Sequence, residues 1–591
     1  LNPDALGFSL LLLGVEATTL GTFGLFAFMT WDVGHTPAFQ FRPGARVDVF
    51  VPTYNEDITI LEATLVGCNA ISYPHITYVL DDGRRPQVAE LAARLGCLYL
   101  TRPDNAHAKA GNLNAALART DGEFIVVLDA DTVPQPDFLD RTLGYFVDER
   151  VALVQLPQEF YNRDSVQHVT SQDPTNLWNE QELFYRVIQP GKNRWGAAFW
   201  CGSPSVLRRA ALLAVGGVAT GSITEDLETS LRLHASGWKT VYSSQPLAYG
   251  IAAQTLHAFS VQRLRWAQGT MQLLRSRENP LLLPGLTFPQ RLCHLASMAT
   301  YLESYTKLTY LLAAPVTLLT GIIPLRVDAG EFLVHWLPYF CLGTLANVAL
   351  GRGSFRLLAT ERYNMLKMFT FIRASTILIW PRTLGFRVTP KRAGTSPYLL
   401  DRQELRPHFV LLAAIAASIV IGVANLTCAL TTRYTDPVIA AVAIGWATFS
   451  GVLLAATVSQ VMRRLHSREE YRFAARLPAI IDQPNGPWIS AVTEDLSMRG
   501  CSVLLDQSSA TGGLLTLRME LPDGLLEVDV EIVHRTLLAD GRLRLGARFR
   551  GLRAMERERL VEFLFVTVAP LQGGGLMLPQ AQPLADHALA A

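Results

Sequence analysis

The sequence predicts a multidomain membrane protein, with a soluble α/β domain, a helical membrane region and a small C-terminal antiparallel β-barrel. A chain of 591 residues is too long for one hydrophobic core, so several domains are expected. Only 17% of the residues are charged and the mean hydropathy is +0.21, values that are typical of a membrane protein. Along the chain, polar stretches of α/β and β character alternate with long apolar runs.

Five apolar stretches are long enough to cross a bilayer, since a membrane helix needs ~20 residues. They are residues 5–31, 301–325, 332–350, 409–430 and 438–461. The first carries one charge, Glu16, and is too long for the core of a signal peptide. Residues 365–384 mix apolar and basic side chains, as a helix in the membrane interface does. We therefore predict membrane helices within 1–32, 300–350 and 407–461, and an interfacial helix followed by a loop at 364–400.

These spans predict a topology. One span before the α/β region and four after it place that region, the interfacial helix and the C-terminal region on one side of the membrane. Basic side chains cluster on this side, at Arg352, Arg356, Lys367, Arg382, Lys391, Arg392, Arg463 and Arg464. The positive-inside rule makes it the cytoplasmic side. The first residue is a leucine, so we expect further N-terminal spans to be missing.

Residues 45–276 are predicted to form the α/β domain. Apolar runs at 47–52, 77–80 and 124–128 each end in a polar turn, and helical patterns such as 88–95 separate them. This alternation is typical of a parallel sheet, whose ligands gather at the carboxyl ends of the strands. The carboxylates that follow those ends are Asp81, Asp82, Asp129 and Asp131. They are therefore the first candidates for a functional site.

A metal and a diphosphate are the ligands that these residues favour. Asp129 and Asp131 flank one residue, so both carboxylates can reach one Mg²⁺ or Mn²⁺, which would offset the charge of a diphosphate. Lys109 is a compact cation suited to the same group. Each signal alone has an ordinary explanation, namely a solvated turn or a surface lysine, and Asp81-Asp82-Gly83 is also a common turn. Their occurrence together favours a site.

Two further motifs add a base and a platform for a sugar. In the Thr-Glu-Asp motif, Asp226 could take the proton from an acceptor hydroxyl, although Thr224 is equally suited to cap a helix. Gln262, Arg265 and Trp266 recur at helical spacing, so they lie on or near one helix face. An indole offers a flat surface to a sugar and an arginine offers a fork to phosphate, whereas an interfacial Trp–Arg pair is the ordinary alternative.

Charge and cysteine content indicate which other ligands and partners are expected. The net charge of +1 does not decide on nucleic acid, but the sequence has no basic stripe interleaved with aromatics, so no nucleic-acid partner is expected. The seven cysteines, at 68, 97, 201, 293, 341, 428 and 501, are odd in number and lack metal-ligand spacing. This pattern favours reduced thiols.

Residues 462–570 are predicted to form a second soluble domain. Runs at 525–533 and 543–549 alternate polar and apolar residues, as strands of a small antiparallel barrel do, and a helix at 553–565 would close it. Residues 571–591 are rich in Gly, Pro and Ala and are predicted to be a flexible tail.

The motifs resemble those of processive family-2 glycosyltransferases, and among them the bacterial cellulose synthase catalytic subunits. Further matches are Val-Pro-Thr-Tyr-Asn-Glu at 51–56, Gln-Leu-Pro-Gln-Glu-Phe-Tyr-Asn at 155–162, Phe-Trp-Cys-Gly-Ser at 199–203 and Phe-Arg-Val-Thr-Pro-Lys at 386–391. The resemblance covers nearly the whole chain. It implies a GT-A-type fold for the first soluble domain and transfer of glucose from UDP-glucose to a growing glucan chain.

The resemblance also implies residue roles, with Asp226 as the catalytic base. Substrate binding falls to Thr53, Glu56, Asp81, Lys109, Asp129, Asp131, Cys201, Gln262, Arg265, Trp266, Phe386, Val388 and Thr389. Within this set Asp81 would contact uridine, and Asp129 and Asp131 the metal and diphosphate. Gln262, Arg265 and Trp266 would hold the donor diphosphate and the terminal glucose of the acceptor. Phe386, Val388 and Thr389 would lie on a gating loop, and Cys201, with Gly202, would shape the acceptor site unless it is a packed core cysteine.

The C-terminal region resembles the PilZ domain, which binds cyclic di-GMP. The matching residues are Arg472, Arg476, Asp495, Ser497 and Gly500. Two arginines four residues apart can bracket phosphates and stack on guanine. Arg468 and Arg472 form an overlapping match, but Leu-Pro follows Arg476, which favours the later pair. An alternative is a basic segment that lies next to the membrane and binds anionic lipid. It would explain Arg463 and Arg464 but not the second motif, at 495–500.

The resemblance predicts an inverting β-1,4-glucan synthase of the bacterial inner membrane that secretes its polymer through its own helices. Cyclic di-GMP would activate it, and a periplasmic accessory subunit would partner it. The alternatives are a synthase of another β-glucan, a polyprenyl-phosphate glycosyltransferase and a non-catalytic cyclic di-GMP-sensing scaffold. No sequence feature selects glucose over its epimers.

One position departs from the family pattern. Many family members have a glutamate eight residues before Gln262, where it can pair with the first arginine of the cyclic di-GMP motif and hold the gating loop shut. This chain has the neutral Gln254 there. A hydrogen bond from Arg472 to Gln254 would lack the charge-assisted part, so we expect a loosely held resting state.

Overall fold

The computed structural model describes residues 1–34, 36, 44–169, 178–381, 397–428, 437–463, 470–482, 488–505 and 514–573. Outside this part lie Phe386, Val388, Thr389, Arg382, Lys391, Arg392, Arg464 and Arg468, which the sequence analysis named. The predicted tail lies outside it from residue 574 onward. The described residues form an α/β domain, a group of long helices and a C-terminal β-barrel.

The α/β domain is built on a seven-stranded sheet with two small accessory sheets. Its strands are β1 (Val47–Thr53), β2 (Ile76–Asp81), β3 (Leu98–Leu100), β4 (Phe124–Val127), β5 (Val133–Pro134), β6 (Val151–Gln155), β7 (Glu159–Phe160), β8 (His168–Val169), β9 (Trp178–Asn179), β10 (Ser205–Arg208), β11 (Lys239–Tyr242) and β12 (Ala248–Gly250). The large sheet has the order β11-β6-β10-β4-β1-β2-β3. The three predicted runs are β1, β2 and β4, and β1 is buried at every position, as expected for a strand covered on both faces.

The sheet is mixed rather than wholly parallel, because β10 runs antiparallel to both of its neighbours. Ser205 pairs with Val127 and Gln155, which are the last residues of β4 and β6. The chain therefore enters β10 from the carboxyl edge of the sheet. As a result, the Phe-Trp-Cys-Gly-Ser segment at 199–203 lies at the edge where the motif carboxylates lie.

The helices are α1 (Leu6–Thr30), α2 (Ile58–Asn69), α3 (Pro86–Arg94), α4 (Ala108–Leu117), α5 (Phe138–Thr142), α6 (Gln189–Asn193), α7 (Arg209–Ala214), α8 (Glu225–Ala235), α9 (Leu256–Arg275), α10 (Phe288–Ala299), α11 (Glu303–Thr320), α12 (Ala329–Leu350), α13 (Leu357–Ser375), α14 (Pro397–Cys428), α15 (Pro437–Arg463), α16 (Ala554–Val561) and α17 (Ala569–Gly573). Short 3-10 turns occur at Pro3–Ala5, Leu143–Val147 and Thr376–Leu378. Two π-helical turns lie at Phe184–Ile188 and Glu562–Val568.

Four helical stretches among the described residues are long and apolar enough to cross a membrane. They are Pro3–Thr30, Gly330–Leu350, Asp401–Thr427 and Pro437–Met462. The stretch predicted at 301–325 forms α11, which is not one of these four. It carries Glu303 and Lys307 in its first turns and ends at Gly321, whose left-handed φ of 74° terminates the helix. The helix formed by the second predicted span is therefore 18 residues long, shorter than the stretch predicted at 301–325.

Helix α13 differs from the predicted interfacial helix at 365–384. It begins at Leu357 and ends at Ser375, and a 3-10 turn follows it. It packs against α9, α11 and α15. Lys367, one of the basic residues of the predicted cytoplasmic cluster, donates a hydrogen bond of 2.8 Å to the buried Glu180. The helix therefore begins eight residues earlier and ends nine residues earlier than predicted. Its place in the membrane interface stays a prediction.

The C-terminal barrel contains β13 (Phe473–Ala474), β14 (Pro478–Asp482), β15 (Ile489–Ser497), β16 (Gly500–Leu505), β17 (Leu514–Leu521), β18 (Gly524–Leu537) and β19 (Leu543–Arg550). Six strands close in the order β15-β14-β17-β18-β19-β16, with β16 pairing back onto β15. The predicted antiparallel barrel is therefore confirmed. The predicted helix at 553–565 is α16 together with the π-helical turn after it, whose buried Leu560, Val561 and Leu564 join the barrel core.

Candidate active site

The motif residues gather at the carboxyl edge of the large sheet, beside a cavity of about 590 Å³. On the domain side the cavity is lined by Cys201, Thr224, Asp226, Arg263 and Trp266. On the other side it is lined by residues of α1, α11 and α13. One cavity thus joins the candidate catalytic residues to the long helices.

Asp81 ends β2 and is fully buried. Its carboxylate accepts hydrogen bonds from the backbone N–H of Gly83 and Arg85, at 2.9 and 2.7 Å, and from the Tyr99 hydroxyl at 3.0 Å. The Arg85 guanidinium also lies 3.2 Å from this carboxylate. Because a carboxylate offers about four acceptor positions, a uridine contact would have to replace one of these bonds.

Thr53 and Glu56, the other predicted donor-site residues, join the same network. The Thr53 hydroxyl donates to Glu56 Oε2 at 2.8 Å and accepts from Arg85 Nη2 at 2.7 Å. The structure therefore brings Thr53, Glu56 and Asp81 together around Arg85, which the sequence analysis did not single out.

Asp82 holds the turn that carries Lys109. It forms a buried, bidentate ion pair with Arg102, with both N–O distances at 2.7 Å. The same guanidinium donates to the two carbonyl oxygens on either side of His107, at 2.7 and 2.9 Å. His107 and Ala108 have φ values of 58° and 44°, a conformation in which non-glycine residues are strained. The Asp82–Arg102 pair therefore fixes a strained turn from which Lys109 projects.

Lys109 Nζ lies 2.5 Å from Asp129 Oδ1. Burial alone would lower the pKa of Lys109, but the nearby carboxylates of Asp129 and Glu225 raise it above its ordinary value. Lys109 is therefore held as a cation at neutral pH. It can neutralise Asp129 before a ligand arrives and a diphosphate afterwards.

Asp129 and Asp131 follow β4, and the Asp129 side chain is 41% exposed whereas Asp131 is buried. This donor set fits Mg²⁺, which takes one or two protein carboxylates and completes its shell with water and substrate phosphates. In the described part of the chain, no group of three or more His, Cys, Asp or Glu residues gathers around a possible metal position.

Asp226 lies in the first turn of α8 and lines the cavity. Burial and the neighbouring Glu225 raise the pKa of Asp226 to about 7, so its carboxylate can accept a proton near neutral pH. Its Oδ1 accepts a hydrogen bond of 2.8 Å from the backbone of Leu227. Thr224 occupies the N-cap position, but its side chain makes no capping hydrogen bond.

The segment before β10 forms the floor between these groups. Gly202 has a φ of 87°, and a Cβ at this position would lie 3.4 Å from Lys109 Nζ and 3.5 Å from Asp226 Oδ2. The amine and the candidate base therefore converge on this glycine. Cys201 is partly exposed and borders the cavity, and its Sγ lies 3.1 Å from Gln189 Nε2. It is therefore a wall residue rather than a core cysteine.

Helix α9 carries the Gln-x-x-Arg-Trp motif and touches the Thr-Glu-Asp motif directly. A Cβ at Gly269 would meet Thr224 Cγ2 at 2.5 Å, so only glycine allows this approach. Ile223 N also donates to Gln272 Oε1 at 3.2 Å. These contacts fix the motif on α9 beside Asp226.

The three predicted residues of α9 point to different parts of the site. Trp266 lines the cavity. Arg265 interacts electrostatically with Asp129 and Asp226, so it lies on the carboxylate side. Gln262 Oε1 accepts a hydrogen bond of 3.2 Å from Gln167. Helical spacing thus brought them to one region, although only Trp266 of the three borders the cavity.

In the barrel, Arg472 Nη1 donates to Asp495 Oδ1 at 3.1 Å, and the Ser497 hydroxyl donates to the carbonyl of Gly500 at 3.1 Å. Arg476 is exposed. A Cβ at Gly500 would lie 2.1 Å from a carbonyl oxygen of β19, so the glycine is required by strand packing. The residues of the two predicted cyclic di-GMP motifs therefore meet in space through the Arg472–Asp495 pair.

A cavity of about 230 Å³ lies between the barrel and the α/β domain, and Gln254 lines it together with Tyr471 and Phe473. Tyr161, from the predicted motif at 155–162, packs against Phe473 and Phe565 with ring centroids 5.3 and 5.0 Å apart. Gln254 therefore lies beside the segment that carries Arg472, although Arg472 donates to Asp495.

Sequence reasoning missed several residues that organise the site. Tyr99 and Arg102 stand outside the motifs, and Arg85 follows Asp81-Asp82-Gly83 by two residues, which was its one available signal. Arg263 occupies one of the two unspecified positions of the Gln-x-x-Arg-Trp motif. Its position within the motif was the one sequence signal that could have pointed to a role in the site.

The chain matches two protein families. Residues 124–352 match "Glycosyl transferase family group 2", and residues 463–566 match the PilZ domain. The UDP-forming cellulose synthase catalytic subunit of Pseudomonas fluorescens (strain SBW25) is 33% identical over 548 residues, covering 90% of this chain and 72% of that relative. The chain belongs to the cellulose synthase catalytic subunit family. The predicted family and the predicted fold, a glycosyltransferase domain with membrane-type helices and a PilZ barrel, are confirmed.

Other cellulose synthase relatives are longer than this chain. Cellulose synthase 2 of Novacetimonas hansenii is 32% identical, and the match covers 95% of this chain and 36% of that protein. Cellulose synthase 1 catalytic subunit of Komagataeibacter xylinus is 35% identical, with 79% and 63% covered. Among solved structures, a mannosyltransferase from Pyrobaculum calidifontis aligns with 64% of this chain and all of its own, with a TM-score of 0.47 at 18% identity.

Proposed function

We propose that this chain polymerises glucose from UDP-glucose into β-1,4-glucan, which is cellulose, and passes it across the bacterial inner membrane. The observation that carries the proposal is that Asp226 and Trp266 line one cavity that continues along the long helices, while Lys109 approaches Asp226 beside Gly202. The names of the relatives, cellulose synthases described as UDP-forming in two cases, support UDP-glucose as the donor.

Asp226 is the proposed catalytic base. Its pKa of about 7 allows it to accept the proton of an acceptor hydroxyl, and its place at the cavity wall is where an acceptor chain in the cavity would pass. The deprotonated oxygen forms a bond to the anomeric carbon of the donor glucose as the bond from that carbon to UDP breaks. One displacement with one base inverts the α-linked donor into a β-linked product.

The donor diphosphate would lie against Lys109, Arg265 and the two carboxylates after β4. A bound Mg²⁺ or Mn²⁺ on Asp129 and Asp131 would supply positive charge to the leaving diphosphate. The carboxylates of Asp129 and Glu225 keep Lys109 cationic for the same group, and the Asp82–Arg102 pair fixes the turn that carries it. Thr53, Glu56 and Asp81 would bind the uridine end.

The product would leave through the same cavity. Its walls pass from Trp266 to Tyr301 on the segment before α11 and then to Tyr310 on α11 and Thr19 on α1. Aromatic and hydroxyl side chains of this kind suit a neutral polyhydroxylated chain, since they offer both flat surfaces and hydrogen-bond partners. Transfer and passage therefore share one continuous surface.

We further propose that both soluble domains are cytoplasmic and that cyclic di-GMP binds at Arg472, Arg476, Asp495, Ser497 and Gly500 as an activator. Contact between the barrel and the α/β domain through Tyr161 and Arg94 supports a coupling of the two. A periplasmic accessory subunit is the expected partner for the emerging polymer. The gating residues at 386–389 would complete the donor site.

A donor panel tests the proposal. Membranes that contain the protein are supplied with labelled UDP-glucose, UDP-galactose or UDP-N-acetylglucosamine, with Mg²⁺ or Mn²⁺ and with or without cyclic di-GMP. We expect insoluble label from UDP-glucose alone, dependent on the divalent cation and sensitive to a β-1,4-glucanase. Label from another donor, a glucanase-resistant product or label transferred to lipid would each refute it. The Asp226→Asn variant is the matched negative control.

A further inference from the structure

A buried charge triad lies next to the Gln-x-x-Arg-Trp motif. Glu180 is 3% exposed and forms ion pairs through one oxygen with Arg263 and through the other with Lys367, at 2.8 Å for the lysine. The Arg263 side chain is 4% exposed. Burial alone would raise the pKa of Glu180, but the two cations hold it at about 2. The carboxylate is therefore ionised and ties α9 to α13.

Arg263 lies on the face of Trp266. Its guanidinium carbon is 4.2 Å from the centroid of the indole and 4.7 Å from that of Phe259. The three residues are spaced at intervals of three and four along α9, so they share one helix face. A buried cation over an aromatic face is attracted strongly because it is desolvated. One face of the Trp266 indole is therefore covered by the guanidinium.

The same guanidinium orients Gln262. Its Nη1 donates to Gln262 Oε1 at 3.2 Å, and Gln167 donates to this oxygen from another direction at 3.2 Å. Because two donors point at this amide oxygen, the orientation of the Gln262 amide group is fixed, and its nitrogen remains as a hydrogen-bond donor on the other side. One arginine therefore sets the position of two motif residues.

We propose that Arg263, anchored by Glu180 and Lys367, is the positioning residue that holds Trp266 and Gln262 in place for the acceptor sugar. The terminal sugar packs on the indole face opposite Arg263. The inference rests on the proposed function and adds to it three residues, Glu180, Arg263 and Lys367, that act through others.

The triad also predicts which changes are tolerated. Its net charge is +1, from two cations and one carboxylate. Glu180→Gln would leave two buried cations without a counter-charge, which is the damaging way to break a buried pair. Removing Lys367 as well, in Glu180→Gln/Lys367→Met, restores the net charge of +1. The double variant is therefore expected to recover part of the lost activity.

The test measures elongation and donor hydrolysis separately in the full-length protein in membranes. Polymer formation from labelled UDP-glucose reports elongation, and release of free glucose reports transfer to water, which needs no acceptor. For Arg263→Gln we expect elongation to fall roughly tenfold or more, with the KM for UDP-glucose and hydrolysis changed less than about twofold. Arg46→Gln, which removes an arginine from an exposed ion pair, is the matched control.

Each outcome decides something. Equal losses of elongation and hydrolysis in Arg263→Gln, or native elongation, would overturn the positioning role. If Arg263→Gln does not accumulate, Arg263→Lys gives the answer, because it keeps the ion pair with Glu180 and loses the fork that reaches Gln262. It should show an intermediate loss of elongation alone, and native elongation would overturn the proposal. If the double variant elongates no faster than Glu180→Gln, the charge-balance argument is overturned. If the unaltered protein forms no polymer, the proposed function itself is refuted.

Discussion

The pKa of Asp226 predicts the acid limb of the pH–rate profile. A base must be ionised to accept a proton, and burial together with Glu225 raises the pKa of this carboxyl from 3.8 to about 7. The active, ionised form is therefore lost as the pH falls through that value. At about one pH unit below the pKa roughly one tenth of the molecules keep the ionised base, so the rate should fall about tenfold per unit. An aspartate with its ordinary pKa would show no such limb near neutral pH.

The assay is the initial rate of polymer formation at UDP-glucose concentrations well below KM. Under this condition the profile of kcat/KM reports the ionisation of the free enzyme. Membranes are held between about pH 5.5 and pH 8.5 at constant ionic strength, and recovery of the rate on return to neutral pH excludes denaturation. A profile that is flat across this range would refute the assignment of Asp226 as the base or the cause of its raised pKa.

Glu225 provides an internal test of the cause. Its negative charge is the second contribution to the raised pKa of Asp226, after burial. Glu225→Gln removes that charge, so the pKa of Asp226 should fall and the acid limb should move to lower pH. Glu90→Gln, which neutralises an exposed carboxylate on α3, is the matched control and should leave the limb in place. An unmoved limb in Glu225→Gln would show that Asp226 does not set it.

Four further outcomes are expected. Asp226→Asn should lower polymer synthesis about 10²–10⁴-fold with UDP binding retained, and near-normal turnover would remove Asp226 from the role of base. Trp266→Ala should impair elongation more than UDP-glucose hydrolysis, and equal losses would contradict an acceptor role for the indole. Arg102→Met breaks a buried ion pair, which typically costs about 3–5 kcal/mol of stability. It should also release the turn that carries Lys109 and so raise the KM for UDP-glucose. An unchanged KM would refute the link between this ion pair and the position of Lys109. Gln254→Glu should lower basal synthesis and increase the fold-stimulation by cyclic di-GMP. If basal synthesis is already nil in the unaltered protein, or is unchanged by the substitution, another contact closes the resting state.

Local sequence signals predicted much of the fold. The runs at 47–52, 77–80 and 124–128 became strands because each is a short apolar segment bounded by a polar turn. The carboxylates after them met at one edge because those three strands are parallel. The antiparallel entry of β10 could not be predicted in this way, since strand direction depends on where the chain has travelled over the preceding fifty or so residues.

The buried ion pairs that hold the site residues in place were less predictable than the site residues themselves. Asp82–Arg102 and Glu180–Arg263 join residues that are 20 and 83 positions apart. Charged residues of this kind are common on surfaces, and nothing in the local pattern marks them as buried partners. Lys367 shows the same limit, because its position in a mixed apolar and basic segment did not indicate that it pairs with Glu180. Motifs identify groups that touch substrates, and the buried pairs that hold those groups depend on the tertiary structure.

The most direct test of the central claim, that one chain both makes and exports a β-1,4-glucan, uses sealed inverted membrane vesicles. Labelled UDP-glucose, divalent cation and cyclic di-GMP are added outside, where the soluble domains are expected to lie, and the product is then exposed to β-1,4-glucanase before and after detergent. We expect labelled polymer that resists the enzyme while the vesicles are sealed and is digested once detergent opens them. Polymer that is digested equally in sealed vesicles would contradict translocation, and polymer that resists digestion after detergent would contradict the linkage.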